Sequence, residues 1–291
     1  MPIWQAVVLG VIQGITEFLP ISSTAHLLVA RGLMGHKHPE DAFTVVIQLG
    51  TLAAVFVYFR ADIGRILKGV WADVRARRFA STPDARLGWL IVLGTVPAVV
   101  VGVLFKKQLK ATFFNPQAIA VVAIVFALLM LASEWWARLR AGRGAPPREE
   151  TDITWLDALW VGAWQACALM PGGSRSGTTI TGGLFAGLTR SAAARFSFLL
   201  SLPVILGAGL KELYDEYKKL GSPKPDEPVS LFASGAEVTA LVVGTLVSAA
   251  VGYLAIAFLL NFLKRYSTGV FVAYRLMLAA VIFGLIAAKL L

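Results

Sequence analysis

The sequence is poor in cysteine and in charged residues. Cys167 is the only cysteine among 291 residues, which excludes an intrachain disulfide framework. Charged residues make up only 15% of the chain, whereas 57% of it is hydrophobic and the mean hydropathy is +0.71. Since its apolar runs are also long and do not alternate with polar residues, the composition predicts an all-α polytopic membrane protein.

Acidic residues are outnumbered, with 17 Asp and Glu against 27 Lys and Arg, so the formal net charge is +10. A soluble protein with this excess would be a candidate for nucleic-acid binding. Here the cations cluster between apolar runs, where they orient a membrane protein and contact anionic headgroups. We therefore predict the bilayer as a partner and no nucleic acid.

Six apolar stretches approach the roughly 20 residues that a membrane-spanning helix needs. They lie at residues 42–59, 87–105, 117–137, 192–212, 235–262 and 270–290. Basic residues dominate the intervening segments 60–86 and 138–150, and the positive-inside rule places both in the cytoplasm. Segment 138–150 contains two adjacent prolines and is the best candidate for a linker.

A further apolar region, residues 3–34, is interrupted in its middle. The interruption reads Glu17-Phe-Leu-Pro20-Ile-Ser22-Ser23-Thr24-Ala-His26. Proline breaks a helix, and the hydroxyl residues after it can cap a new one. Because each half is too short to span a bilayer, we predict a re-entrant helix hairpin with a polar tip. A single kinked span is the alternative.

Residues 153–188 repeat this interrupted pattern. Here the polar turn reads Pro171-Gly-Gly-Ser174-Arg175-Ser176-Gly177-Thr-Thr179. A glycine-rich turn that opens a helix offers free N–H groups to an anion, and Arg175 adds a forked contact suited to phosphate. The alternative is an ordinary loop from which Arg175 reaches a headgroup.

The two interrupted regions are related by one constant shift along the chain, which places Gln13 on Gln165 and Ser22 on Ser174. Paired interrupted helices in the two halves of a chain indicate an inverted repeat with a binding site at its centre. We predict one integral-membrane domain with six spans, two re-entrant hairpins, and pseudo-repeats at roughly 1–137 and 151–291.

The predicted topology brings the two hairpins in from opposite faces. With the basic segments in the cytoplasm, the first hairpin enters from outside and the second from inside, while both termini and the loop 213–234 lie outside. Two tips that enter from opposite faces meet near the midplane, where ionisable residues usually pair or serve function.

The residues at the two tips suit phosphate chemistry. Gln13 and Glu17 share one helical face, and their oxygens suit a hard cation such as Mg²⁺ or Ca²⁺. His26 suits proton transfer or nucleophilic attack, and Arg175 can neutralise charge that develops on phosphate oxygens. In the structural alternatives, Glu17 only pairs with Arg175, His26 is interfacial, and the serines only cap helices.

The two tip motifs, Gln13-Gly-Ile-Thr-Glu17-Phe-Leu-Pro20-Ile-Ser22-Ser23-Thr24-Ala-His26 and Pro171-Gly-Gly-Ser174-Arg175-Ser176-Gly177-Thr-Thr179, resemble the signature pair of the undecaprenyl-diphosphate phosphatases of the bacitracin-resistance type. The likeness extends over essentially the whole chain. It implies hydrolysis of the C55 polyprenyl diphosphate to the monophosphate, which recycles the lipid carrier of peptidoglycan synthesis and confers bacitracin resistance. It further implies a divalent cation and a place in the bacterial inner membrane, with the site facing the periplasm. A homodimer is left open.

The resemblance also implies roles for single residues. Glu17 corresponds to a metal ligand or catalytic carboxylate, and His26 and Ser23 to the nucleophile and the proton-transfer group, in either order. Arg175 corresponds to the catalytic arginine. The substrate-binding positions are Ser22, Thr24, Gly172, Gly173, Ser174, Ser176 and Thr179. Gln13 stands where many members have a first glutamate, so it offers a metal an oxygen without charge.

A transporter or flippase for an anionic polyprenyl-phosphate lipid is the rival hypothesis, because inverted repeats with broken helices are typical of transporters. Such a protein needs Arg175 and helix N-termini to bind its cargo, whereas hydrolysis also needs Glu17 and His26. A purely structural membrane protein would leave the polar tips without a purpose.

Overall fold

The structure, a computed structural model, describes residues 1–35, 42–221 and 230–291. Within these ranges the chain forms twelve α-helices, a 3-10 helix at Glu150–Asp152, and no β-strand. The α-helices are α1 (Ile3–Phe18), α2 (Ser23–Leu33), α3 (Ala42–Val46), α4 (Gln48–Tyr58), α5 (Arg60–Arg75), α6 (Pro83–Phe113), α7 (Pro116–Gly142), α8 (Trp155–Cys167), α9 (Arg175–Phe185), α10 (Arg190–Gly221), α11 (Gly235–Leu263) and α12 (Gly269–Ala287).

Five of these helices, α6, α7, α10, α11 and α12, are long and apolar enough to cross a membrane. They correspond to five of the six predicted spans and confirm an all-α polytopic membrane protein. The sixth predicted span, 42–59, is divided into α3 and α4, and it meets α5 at a bend of 80°. At the division, Ser248 of α11 donates a hydrogen bond of 2.8 Å to the Ile47 carbonyl.

Several helices extend beyond the predicted ends of the spans. Helix α6 begins at Pro83 and α7 at Pro116, each after a residue whose side chain caps it, Thr82 and Asn115. Proline in the first turn and a capping oxygen before it are a strong start signal. Helix α7 continues into the predicted linker 138–150. Helix α10 likewise continues into the predicted loop 213–234, of which residues 222–229 lie outside the described ranges.

The two interrupted regions form helix hairpins, α1–α2 and α8–α9. The shift that places Ser22 on Ser174 relates their helix bounds as well as their sequences. It places the first residue of α1 on the first residue of α8, and the first residue of α2 on that of α9. The first residues of α6 and α11 are related by the same shift. The division into pseudo-repeats remains our interpretation, and these bounds agree with it.

The ends of the two hairpins that lie away from their tips are at opposite ends of α11. Near the first residue of α11, Glu237 pairs with the Met1 amine at 2.5 Å, so α1 starts at that end. At the other end, Lys264 lines a cavity together with Gly187, which follows α9. Since the tips of the hairpins are in contact, they approach each other from opposite ends of the helix bundle.

Each hairpin packs its first helix against the other half of the chain. A Cβ atom added to Gly10 of α1 would lie 2.6 Å from the Gly244 oxygen of α11, and one added to Gly162 of α8 would lie 2.3 Å from the Gly94 oxygen of α6. Glycine is needed where helix backbones approach so closely, a common device in membranes. The first helix of each hairpin thus packs against a helix of the other half of the chain, which agrees with the predicted single domain.

Candidate active site

The two hairpin tips have the same local geometry. Ser22 precedes α2 with φ 74°, and Ser174 precedes α9 with φ 65°, a left-handed conformation that few residues other than glycine adopt. Each serine side chain accepts a hydrogen bond from a main-chain N–H three residues later, as an N-cap does. The tips also contact each other, because the Ser176 hydroxyl donates to the Leu19 carbonyl at 3.2 Å.

A buried arginine, Arg275 of α12, joins the two tips. Its guanidinium donates to the Pro20 carbonyl of the first tip at 3.4 Å, and to the Gly172 and Gly173 carbonyls of the second at 2.9 and 3.0 Å. It is fully buried, and a further bond reaches the Ala123 carbonyl of α7. The carbonyls of the glycine turn therefore face Arg275.

Gly172 is required by the path of this turn. It has φ 96°, and an added Cβ would lie 2.3 Å from the Ile119 oxygen of α7. Any side chain here would strain the backbone and push the turn away from α7. The N–H of Gly173 donates to the Met170 carbonyl, so this glycine N–H is not free to bind an anion.

Glu17 is the centre of the polar contacts between the tips. One of its oxygens pairs with the Arg175 guanidinium at 2.9 Å. The other accepts hydrogen bonds from the Gln13 amide at 2.8 Å and from the Ser23 hydroxyl at 3.2 Å. Because Glu17 is only 8% exposed, these three partners compensate for much of the cost of burying its charge.

The hydroxyl groups of Thr179 and Ser197 support the turn of α9 that carries Arg175. Thr179, one helical turn later, donates to the Arg175 carbonyl at 2.7 Å and contacts the Ser197 hydroxyl of α10 at 2.6 Å. A second guanidinium nitrogen of Arg175 reaches the Ser197 carbonyl at 3.4 Å. The predicted site residues Ser174, Ser176 and Thr179 thus shape the second tip, and Thr24 is half-buried on α2.

His26 lies beside this cluster with partners of its own. Its Nδ1 is 2.7 Å from the Ser22 carbonyl, so that nitrogen carries the hydrogen. Its Nε2 is 2.8 Å from the Tyr274 hydroxyl, which therefore donates, and the two rings stack with centroids 5.5 Å apart. In the described structure His26 is bonded to neither Glu17 nor Arg175.

The residues around Gln13 are compatible with a bound cation. The Gln13 amide oxygen is buried and has no hydrogen-bond partner among the described residues. The amide nitrogen of the same side chain donates to Glu17. No group of three or more His, Cys, Asp or Glu residues forms a metal site in the described chain. A cation here would be held by few protein oxygens, which is common for Mg²⁺ bound together with substrate phosphates.

Three residues of this site, Tyr274, Arg275 and Ser197, do not belong to the two motifs. A signal for Arg275 is present in the sequence, since an arginine inside the predicted span 270–290 is expensive unless it has buried partners. No comparable signal marks Tyr274 or Ser197, because both residue types are common in membrane helices and their roles depend on packing between distant helices.

Opposed hairpins whose tips enclose a carboxylate, a guanidinium and several hydroxyls define a membrane-embedded protein that binds an anionic group. The family model described as "Bacitracin resistance protein BacA" matches residues 6–281. The chain therefore belongs to this family.

Similar proteins match along nearly their whole length. The chain is 46% identical over 287 residues to an undecaprenyl-diphosphatase of Chlorobium phaeobacteroides, with 99% of this chain and 98% of the relative covered. Proteins of the same name from Prosthecochloris aestuarii and Chloroherpeton thalassium are each 45% identical. The first match covers 99% of this chain and 98% of the relative, and the second 98% and 97%. The family resemblance seen in the motifs is thus confirmed across the chain.

Proposed function

We propose that this protein is an undecaprenyl-diphosphate phosphatase, an enzyme that hydrolyses the C55 polyprenyl diphosphate to the monophosphate and inorganic phosphate. This activity recycles the lipid carrier of peptidoglycan synthesis and confers bacitracin resistance. The observation that carries the proposal is the Glu17–Arg175 pair between the hairpin tips, with Ser23 bonded to the same carboxylate. A protein that only binds phosphate has no need for a hydroxyl bonded to a buried base.

Arg175 is the group that binds the diphosphate. Its forked guanidinium matches two phosphate oxygens, and one of its nitrogens is held by Glu17 at 2.9 Å. This ion pair keeps the guanidinium in place before substrate arrives, so that little reorganisation accompanies the reaction. The N–H groups at the start of α9 add to the positive potential at the same place.

Ser23 is the proposed nucleophile and Glu17 its base. The Ser23 oxygen attacks the terminal phosphorus while its proton passes to Glu17, and the anhydride bond breaks to release the lipid monophosphate. Water then hydrolyses the phosphoserine, releasing inorganic phosphate and restoring the hydroxyl. His26, whose Nε2 faces the Tyr274 hydroxyl, is assigned to proton transfer with that hydroxyl. The reverse assignment, with His26 as nucleophile, would require this bond to break.

A divalent cation, Mg²⁺ or Ca²⁺, is proposed as cofactor. The unpartnered Gln13 oxygen and a Glu17 oxygen would hold it together with phosphate oxygens. Bound there, it would neutralise charge on the diphosphate. Chelation with EDTA should abolish phosphate release, and either cation should restore it. Undiminished activity in excess chelator would remove the cation from the proposal.

The main test is phosphate release from a polyprenyl diphosphate by the detergent-purified protein. Ser23→Ala and His26→Ala should both lose activity and still bind the diphosphate. If Ser23→Ala retains full turnover while His26→Ala does not, the assigned nucleophile is wrong although the function stands. Full turnover by both variants would refute the catalytic site.

We further propose that the site faces the outer side of the bacterial inner membrane. The support is the distribution of basic segments, since the two richest in arginine lie on one side of the predicted topology. In a Cys167→Ser background, single cysteines at positions 26 and 78 should react with an impermeant thiol reagent from opposite faces of the membrane. Labelling of both from the same face would contradict this orientation.

Transport of a polyprenyl-phosphate lipid is the second candidate, favoured by the opposed hairpins. The two functions separate in liposomes that contain the purified protein. A transporter moves lipid between leaflets in the Ser23→Ala variant, whereas an enzyme without transport activity does not.

A further inference from the structure

Two cavities adjoin residues 149 and 150, on the face that carries the basic segments. The first has a volume of about 510 Å³ and lies between the end of α7, the residues that follow it, the α9–α10 turn and the end of α11. The second has a volume of about 410 Å³ and lies between α5, the start of α6 and the 3-10 helix. Both are in the size range of ligand sites, and they differ in charge.

The charges of the second cavity are balanced. Its charged residues are Asp62, Asp84, Glu150, Arg65, Arg86 and Arg195. Arg195 pairs with Glu150 at 2.9 Å and with Asp62 at 3.2 Å, and Arg65 pairs with Asp62 at 2.5 Å. Arg86 donates to main-chain carbonyls. The cations here already have partners within the protein.

The first cavity has an excess of positive charge. Its charged residues are Arg138, Arg140, Arg190, Lys264 and Glu149. Arg190 is neutralised by the buried Glu134, with contacts of 2.6 to 3.2 Å. No ion pair within the described residues involves the other three cations. Three positive charges thus face one cavity that holds a single carboxylate.

One of these cations, Arg140, has a defined position. Its guanidinium lies against Gly187, where an added Cβ would be 2.6 Å from the guanidinium carbon. Gly187 has φ 86°, so the turn has both the conformation and the space that glycine allows. A cation that serves only to orient the chain in the membrane needs no such fitted contact. Leucines at 184, 188 and 263 provide an apolar wall beside it.

We propose that this cavity binds a phosphate-bearing anion. An anionic phospholipid headgroup and free inorganic phosphate are the two sources of that group, and the apolar wall favours the lipid. No hydrogen bond or ion pair in the described structure links the residues that form the cavity to Glu17 or Arg175, so the site is distinct from the hairpin tips. The proposal does not depend on hydrolysis there.

The test compares two triple variants of the full-length protein in neutral detergent. Arg138→Gln/Arg140→Gln/Lys264→Gln removes the three cations of the cavity. Lys68→Gln/Arg75→Gln/Arg78→Gln removes three exposed cations of the same face, outside the cavity, as a matched control. Binding of phosphatidylglycerol to each protein is measured by native mass spectrometry, with phosphatidylcholine as the uncharged reference lipid.

We expect the cavity variant to bind phosphatidylglycerol at least tenfold more weakly than the unmodified protein, and the control to change less than twofold. Phosphatidylcholine binding should be unchanged in both. Equal losses in the two variants, or no loss in either, would overturn the proposal. The melting temperature in detergent reports whether each variant is folded. If the triple variant is not, Lys264→Gln and Arg140→Lys alone should each weaken binding severalfold.

Inorganic phosphate distinguishes the two sources. If millimolar phosphate displaces phosphatidylglycerol from the unmodified protein, but has no effect on the residual binding to the cavity variant, the site accepts the free ion. If phosphate displaces nothing, the site requires the lipid. A protein that binds phosphatidylglycerol as expected but does not hydrolyse polyprenyl diphosphate would refute the proposed function alone.

Discussion

The two hairpins have nearly the same backbone and different chemistry. Each turns through a serine with positive φ, which caps the helix after it. The first contributes the carboxylate, a hydroxyl and the imidazole. The second contributes the guanidinium and the hydroxyl groups that hold it. In the proposed mechanism, the first hairpin moves protons and the second binds charge.

This division explains why neither hairpin is a site by itself. Glu17 without Arg175 would be a carboxylate only 8% exposed with neutral donors as its sole partners, and such burial is costly. Among the described residues, the Arg175 guanidinium without Glu17 would keep only a contact of 3.4 Å to the Ser197 carbonyl. The substitutions below separate the two halves, in order of decreasing expected effect.

The largest effect should come from the proton-transferring half. Glu17→Gln keeps the shape of the side chain and one acceptor oxygen, but it replaces the other oxygen by an amide group and so removes the base and the negative charge. We expect phosphate release to fall about 10³-fold, equivalent to about 4 kcal/mol, with the diphosphate still bound. Glu237→Gln, an acid far from the tips, is the control and should retain activity. A loss below tenfold in Glu17→Gln would mean that another group is the base.

The connection between the halves should come next. Arg275→Lys cannot reach the carbonyls of both tips, and each buried carbonyl left without a donor costs about 1–3 kcal/mol. We expect a loss of roughly 3 kcal/mol of stability, seen as a lower melting temperature in detergent. Leu276→Ala, at a more exposed position on the same helix, should cost much less. Equal effects would show that the arginine is not what joins the tips.

The charge-binding half should show a smaller, distinct effect. Arg175→Lys retains a positive charge but loses the forked contact, so we expect a fall of about 10² in kcat/KM. Unlike Glu17→Gln, this variant should also bind the diphosphate more weakly. Arg60→Lys, at an exposed position, is the matched control. If binding is unchanged in Arg175→Lys, the two hairpins do not divide the work as described.

The smallest effect tests the shared backbone. Ser22→Ala and Ser174→Ala each remove one capping oxygen, which should destabilise the protein by about 1 kcal/mol. The two losses should be similar, since the bonds to the Ala25 and Gly177 N–H groups are equivalent. A melting-temperature shift in only one of the variants would show that the tips are less alike than their geometry suggests.

The sequence alone predicts much of this fold, because apolar runs are long and turns are marked. Five spans, both hairpins and the constant shift between the halves follow from hydropathy, proline and glycine. The helix break that the sequence does not mark depends on contacts with a distant part of the chain. The turn at Ile47 falls inside an apolar run, and the Ser248 hydroxyl that contacts it comes from another part of the chain.

The candidate site could be predicted in its composition but not in its connections. Motif residues identify Glu17 and Arg175, and the topology predicts that they meet. The sequence does not predict that the glycine-turn carbonyls face Arg275, or that Tyr274 donates to His26. These contacts depend on where α12 packs, and no local pattern in α12 specifies that.

The Arg275 guanidinium has a consequence for how a 55-carbon lipid reaches the proposed catalytic groups. A lipid that passed through the centre of the protein would have to separate the two hairpins. Arg275 would then lose its hydrogen bonds to carbonyls of both tips. A lateral route avoids this cost, because the isoprenoid tail can stay in the surrounding lipid while only its polar end slips between helices. The enzyme would then bind the polar end of its substrate from the side of the helix bundle, without passing the lipid through its centre.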